Sequence, residues 1–321
     1  MILQADDRFW LGFCFAILAN VLLAITYTVK KRALTPRHYV SLDEEGEKHI
    51  HYKDGVFWAY LILLLISGVV NFVAYSMAPA FLVAATGIVG MFLTSVSFKL
   101  YFDEKYNHVS GLGVCFAILG LAIMVLNYPR GEVSMNILDL ASLMYTSGFV
   151  YYVLVVILLW LITAGFIVPS CQTKNVSVYI IFTLLAYSFI GSATIIACKC
   201  AGYSIKYLII YDEADQTNVL YMLLFLVTML VGLWIQEYYM GKFSESFSSP
   251  GALQAIFFIL RTALVAVFSE FLFNEWSHVH GLKIAGASLG FVLICVSALM
   301  HPLFSDLSFD DTIIADKFRP K

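Results

Sequence analysis

The chain has 321 residues, 61% hydrophobic and 13% charged, with a net charge of −3 and a mean hydropathy of +0.85. A soluble globular chain carries about 45–50% apolar and about 25% charged residues, so these few charges could not cover a water-exposed surface and a soluble domain is excluded. The mild acidity and the lack of a basic block exclude nucleic acid as a partner, and what remains is an all-α membrane protein with several spans.

A bilayer core of about 30 Å needs roughly 20 apolar residues of helix. The charge-free run at 9–29 is long enough, and it ends at Lys30-Lys31-Arg32. It lacks a small-residue cleavage site, so no cleavable signal peptide is expected. A polar loop follows with Asp43-Glu44-Glu45, Glu47, His49 and His51. It is either a soft metal-binding patch or, given the interleaved Lys48 and Lys53, a solvated charged loop. The run 55–98 holds two spans, and Pro79 near its middle is the natural hairpin break. Residues 106–129 give a fourth span, with Gly111, Gly113 and Gly120 suited to close helix contact. Residues 140–168 give a fifth, stopped at Pro169. The sixth is 175–198, followed by an interfacial stretch, 199–211, that includes Lys199. The seventh is 216–236. The eighth runs from about 250 to Phe273, interrupted by Arg261 and Glu270, and the ninth lies within 284–305. The expectation is nine transmembrane helices in one domain, 1–305, with a short tail, 306–321.

Lys and Arg favour the cytoplasmic side. With the N-terminus outside, thirteen of the 19 Lys and Arg fall inside and five outside, while Arg261 lies within a span. That predicts N-out, C-in. The sequon Asn175-Val176-Ser177 then falls inside and goes unused. The six cysteines have no zinc spacing and are expected to be apolar filler.

Two stretches resemble one another. Phe102-Asp103-Glu104, continuing through His108-Val109-Ser110-Gly111-Leu112, follows the third span; Phe273-Asn274-Glu275, continuing through His278-Val279-His280-Gly281-Leu282, follows the eighth. Either two interfacial loops coincide by chance, or the chain is duplicated, with 9–129 matching 175–304 around a linker span at 140–168. Five intervening helices would put the two copies on opposite membrane faces. Such an inverted repeat is the architecture of alternating-access carriers, whose substrate site lies near the midplane.

The run Asn71-Phe72-Val73-Ala74-Tyr75-Ser76-Met77-Ala78-Pro79-Ala80-Phe81-Leu82-Val83 resembles the "NF-AY–AP-LV" signature of the NIPA family of magnesium transporters, within the drug/metabolite transporter superfamily. Thr28 to Leu34 is similar to that family's first-span exit, and Glu104-Lys105, Asn107 and Gly111 to its "KEK-N–G". Ile190-Gly191, Lys199, Gly202 and Ile205-Lys206 resemble its sixth span. Gln236, Tyr239 and Lys242 resemble the end of its seventh, and Leu272-Phe273-Asn274-Glu275-Trp276 its "LFKEW". The likeness runs in order from about residue 9 to 303. The chain departs from the family at Ala84-Ala85 and Gln254-Ala255, where Thr-Pro pairs are usual. It departs again at Ser67-Gly68, where an acid or amide is common, and at Arg261, where an aromatic is usual.

The resemblance implies a carrier of Mg²⁺ or a related divalent cation, in a plasma or endosomal membrane. Mg²⁺ prefers oxygen ligands and dehydrates reluctantly. The cation is therefore expected to pass largely hydrated, held transiently by pathway oxygens and not at a fixed metal site. The candidates are Asn20, Asn71, Tyr75, Thr86, Thr94, Ser95, Thr194, Gln236, Glu237 and Gln254. Asn71 and Tyr75, four apart, share a helix face. Each polar group has a structural alternative: an interhelical hydrogen bond for the amides, and a bond to the helix's own carbonyls for the hydroxyls. Glu237 and Glu270 lie near span ends, in reach of headgroups. Glu104 and Glu275 either attract cations at the two mouths or cap the helices that follow them. Arg261, basic and inside a span, needs a counter-charge, with Glu237 the best protein candidate. It also keeps open a second reading, a carrier for an organic anion or metabolite. A third is an accessory membrane protein without transport. No nucleophile–base pair, P-loop or cofactor motif is present, so neither an enzyme nor a cofactor is expected. Oligomeric state is not readable.

Overall fold

The computed structural model describes residues 5–34, 55–102, 108–129, 147–162, 165, 176–211, 216–246, 250–273, 275–276 and 279–304. Among these residues there is helix and turn and no strand. The helices are α1 (Ala5–Leu34), α2 (Gly55–Met77), α3 (Ala80–Ala85), α4 (Gly87–Phe102), α5 (His108–Asn127), α6 (Ser147–Ile162), α7 (Val176–Tyr211), α8 (Gln216–Ser246), α9 (Pro250–Phe273) and α10 (Gly281–Phe304). The loop acids with His49 and His51, the sequon's Asn175, Glu104 and the tail lie outside the described residues, as does the side chain of Glu237.

Among the described residues, eight stretches are long and apolar enough to cross a bilayer: Asp6–Arg32, Gly55–Met77, Ala80–Phe102, Val109–Asn127, Ile181–Lys206, Val219–Gln236, Gly251–Phe273 and Gly281–Met300. The expectation of nine spans is therefore corrected to eight among these residues. The fifth predicted span is represented by the 16 described residues of α6. The stretch 199–211, expected as a helical interfacial segment, continues the single 36-residue helix α7 without a break at Lys199.

Local chemistry explains the breaks. Pro79, at φ −58° and ψ 137°, ends the α2 register and starts α3. A second interruption follows at Thr86, between α3 and α4. Its hydroxyl donates to the Val83 carbonyl at 2.6 Å, a back-bond that bends helices. The Val89 N–H donates to the Thr86 carbonyl at 2.9 Å, so the ladder resumes with a tightened turn. One predicted hairpin thus contains two half-helices in its second arm, all buried from Ala80 to Thr86.

Helix α1 packs chiefly on α2 and α4, and α7 chiefly on α8 and α9, while α5 lies against α10. The last pair is antiparallel. Near one end the Ser297 hydroxyl donates to the Gly113 carbonyl at 2.7 Å; further along, Gly286 faces Asn127. Between them the backbones nearly touch at two glycines. A Cβ on Gly120 would come within 2.7 Å of the Gly290 carbonyl oxygen and 2.9 Å of Ile294. A Cβ on Gly290 would come within 2.6 Å of the Gly120 carbonyl oxygen and 2.8 Å of the Met124 nitrogen. The contact is the same seen from either helix. Without a hydrophobic drive between helices in lipid, such close packing of small residues supplies the association energy.

Because backbone blocks both Cβ positions, Gly120→Ala and Gly290→Ala should each lower stability by about 1–3 kcal/mol, as overpacking does. Thermal unfolding of the purified variants in detergent checks this. The loss should exceed that of Gly111→Ala, where a Cβ meets nothing within 4 Å.

Candidate functional site

Two groups of polar side chains stand out, one at a membrane face and one in the interior. At the face, Lys199 of α7 is 2% exposed. Its ammonium is hydrogen-bonded and ion-paired to Glu275 Oε1 in the turn between α9 and α10. The Tyr128 hydroxyl, just past α5, donates to the other oxygen, Glu275 Oε2, at 2.7 Å. In the same turn the Trp276 N–H donates to Glu270 Oε2 at 2.9 Å.

Aromatic rings enclose this ion pair. Lys199 Nζ lies 4.5 Å from the Phe273 ring centroid, and Tyr128 packs on Trp276 and Phe81 at 4.6 and 6.3 Å. Burial first, then the Glu275 carboxylate beside it, hold the Tyr128 phenol protonated, with a pKa well above the usual 10. Glu275 is thus committed to Lys199 and Tyr128, and one carboxylate ties together α5, α7 and the α9–α10 turn. Sequence reasoning named Glu275 but not its partners, which lie 76 and 147 positions away.

In the interior, Asn20 Nδ2 donates to the Ala16 carbonyl at 2.8 Å and to Thr86 Oγ1 at 3.0 Å. The Asn20 amide therefore fastens α1 to the interruption between α3 and α4. In the second half, Gln236 Nε2 donates to Thr194 Oγ1 at 3.0 Å and to the Gly232 carbonyl at 3.1 Å, linking α8 to α7. Thr94 and Ser95 bond to their own helix, at the Gly90 and Met91 carbonyls. Asn71 and Tyr75 lie on α2, and among the described residues neither has a hydrogen-bond partner; Tyr75 is buried and Asn71 half-buried. Gln254 is exposed near the start of α9.

Arg261 makes no ion pair or hydrogen bond among the described residues, and its Nε is buried without a partner. Its guanidinium lies 5.4 Å from the Phe257 ring centroid. Gly191 makes room for its stem: a Cβ there would come within 2.9 Å of Arg261 Cδ and 3.2 Å of Gln236 Oε1. The first half has a similar crossing, since a Cβ on Gly90 would come within 3.0 Å of Asn20 Oδ1. Phe102 and Glu104 recur 171 positions later as Phe273 and Glu275, and that spacing also separates Asn20 from Gly191 and Gly90 from Arg261. Each crossing therefore sets one glycine against one long polar side chain, with the two sides exchanged. The repeat spacing pairs these positions across the two halves, while the contact itself is visible only in the fold.

The described residues hold no group of three or more His, Cys, Asp or Glu that could bind a metal ion. The interior oxygens are amides, hydroxyls and phenol, which can touch a hydrated ion without stripping it.

The sequence model of one family, Magnesium transporter NIPA, matches residues 7–306. The chain belongs to this family. Among curated relatives it is 26% identical to Magnesium transporter NIPA4 of Homo sapiens over 95% of this chain and 74% of that one. It is 25% identical to Magnesium transporter NIPA1 of Mus musculus over 92% and 88% of the two chains. It is 22% identical to Probable magnesium transporter NIPA6 of Arabidopsis thaliana over 90% and 86%. No solved structure matches it.

Removing one partner of a buried ion pair strands the other charge and costs about 3–5 kcal/mol, whereas replacing both with apolar groups is often nearly neutral. Lys199→Met alone should therefore destabilise strongly, and Lys199→Met with Glu275→Leu should recover most of the loss. A double-mutant cycle on thermal stability measures it.

Proposed function

We propose that this chain carries Mg²⁺ across a membrane by alternating access between two inverted halves, residues 9–129 and 175–304. Membership of the Magnesium transporter NIPA family along almost the whole chain carries the choice of substrate, together with relatives that are themselves named magnesium transporters. The interior chemistry fits a largely hydrated divalent cation, with neutral oxygens and no fixed cage.

The reciprocal glycine contact supports the inverted repeat. Gly120 and Gly290 are 170 positions apart, as are Met124 and Ile294, which each glycine meets in turn. A two-fold axis makes residue i contact j and j contact i in this way. The antiparallel course of α5 and α10 agrees, because the two repeated motifs precede these helices. Helix partners correspond as well, α1 with α2 and α4 matching α7 with α8 and α9.

The Lys199–Glu275–Tyr128 group supports a carrier closed at that face. Burial is dense around it, from Ala80 to Thr86 and along α7 from Ile195 to Gly202. Toward the other end of α9, Gln254 is exposed and Arg261 only half-buried. The Lys and Arg asymmetry favours an outside N-terminus, which makes the closed face the outer one.

The test is Mg²⁺ uptake into proteoliposomes of the purified protein, followed with an internal fluorescent indicator. Saturable uptake is expected; no uptake above protein-free vesicles would reject the proposal. In the same assay Asn71→Leu should lower uptake at least about tenfold while leaving folded yield unchanged, since its amide shares an α2 face with Tyr75 and binds nothing else. Parallel loss of yield and uptake would assign Asn71 to packing.

A further inference from the structure

The interior contains one feature that a path for Mg²⁺ does not explain. Arg261 sits in the middle of α9 as a fixed positive charge, and an arginine at a span centre is costly unless something meets it. The acids described nearby are occupied. Glu275 is held by Lys199 and Tyr128. Glu270 accepts from Trp276 and lies nine residues along the helix, about 13.5 Å at 1.5 Å per residue. Among the described residues the guanidinium's Nε has no partner.

The surroundings favour a negative guest. Arginine offers N–H donors and no acceptor. Tyr75, an OH donor with no hydrogen-bond partner among the described residues, is buried in the cluster that includes Ala255, Phe258 and Val265 of Arg261's own helix. Gln236 spends its Nε2 on Thr194 and Gly232, and its Oε1 lies near the Arg261 stem across Gly191. A cation plus a free hydroxyl donor is the reverse of the oxygen-acceptor set that Mg²⁺ requires. Phe257 covers one side of the guanidinium. Gln254 lies two turns before Arg261 on the same helix face and is exposed.

We propose that Arg261 and Tyr75 form a membrane-interior binding site for a small anion with paired oxygens, either a carboxylate or an inorganic oxyanion. Both ligands present two oxygens to the planar guanidinium fork, which binds them in a bidentate manner. The anion neutralises the arginine in the bound state, and the site does not depend on Mg²⁺ being the transported cation.

The test measures equilibrium binding of radiolabelled succinate in one arm and radiolabelled sulfate in the other, with chloride as competitor, to the purified full chain in lipid nanodiscs. Saturable binding in one arm is expected, and the arm that binds identifies the ligand class. Arg261→Gln should weaken that binding at least about tenfold, a loss typical of a charge-assisted pair. Arg261→Lys should retain part of it, because the charge survives while the fork does not. Tyr75→Phe should weaken it less than Arg261→Gln. Circular dichroism and thermal unfolding of each variant establish that it is folded. If the wild type binds neither anion more tightly than chloride, the site does not exist and Arg261 is neutralised from within, with Glu237 the nearest rival in sequence terms. Unchanged binding in a folded Arg261→Gln protein would also overturn the proposal. Loss of wild-type Mg²⁺ uptake would count only against the magnesium reading, since anion binding is measured without Mg²⁺.

Discussion

A lysine and a glutamate with almost no contact with solvent hold one end of this protein together. Taking both charges out of water costs several kcal/mol per ion. The arrangement survives because every strong group is satisfied: the ammonium by Glu275 and two aromatic faces, and the second carboxylate oxygen by Tyr128. The geometry of that end follows from this requirement. Tyr128 must stand at the close of α5, which fixes its packing on Phe81 at the start of the hairpin's second arm. The α9–α10 turn must bring Glu275 back over α7, and the Trp276 bond to Glu270 shapes that turn. Pro79, the end of α5 and the end of α9 are therefore parts of one assembly.

The interior works by the opposite means, through neutral dipoles and small residues. Gly120 and Gly290 let two backbones meet, while Asn20 and Gln236 each join two helices through a hydroxyl. Such bonds are worth about 0.6–2 kcal/mol in a membrane, strong enough to set register and weak enough to exchange during a conformational change. Arg261 is the exception. A divalent cation about 6 Å from an unneutralised guanidinium is opposed by about 5–6 kcal/mol at an effective dielectric constant of about 20. That exceeds the gain from several neutral hydrogen bonds. Charge compensation at Arg261 is thus a condition on any cation pathway that passes α9.

Much of the fold was legible in the sequence because charge-free runs and Pro79 are local signals. The family likewise showed itself in ordered motifs. The fifth predicted span is described only over the 16 residues of α6, so its length is not set by hydropathy alone. The role of Lys199 was not legible, because a charge beside an apolar run looks like a boundary. Its burial depends on Glu275, far away in sequence, and pairing at that range leaves no local trace. The polar candidates divided similarly. Asn20, Thr86, Thr194 and Gln236 were recognisable as polar groups in spans, yet only the fold shows which join one another. The glycines at positions 90 and 191 sit at repeat-related positions, but only the fold shows that each faces a long polar side chain.

Under the proposed alternating access, the Lys199–Glu275–Tyr128 face is a closed gate that opens during transport. Cys198 and Cys200 flank Lys199 and are buried there, so their thiols report on it. The decisive measurement is the rate at which a membrane-impermeant maleimide labels Cys198 and Cys200 in proteoliposomes, in a variant with Cys14, Cys115, Cys171 and Cys295 replaced by Ala. Labelling should be slow without Mg²⁺ and should accelerate when a Mg²⁺ gradient drives uptake. Labelling that stays slow while the same vesicles take up Mg²⁺ would contradict the account.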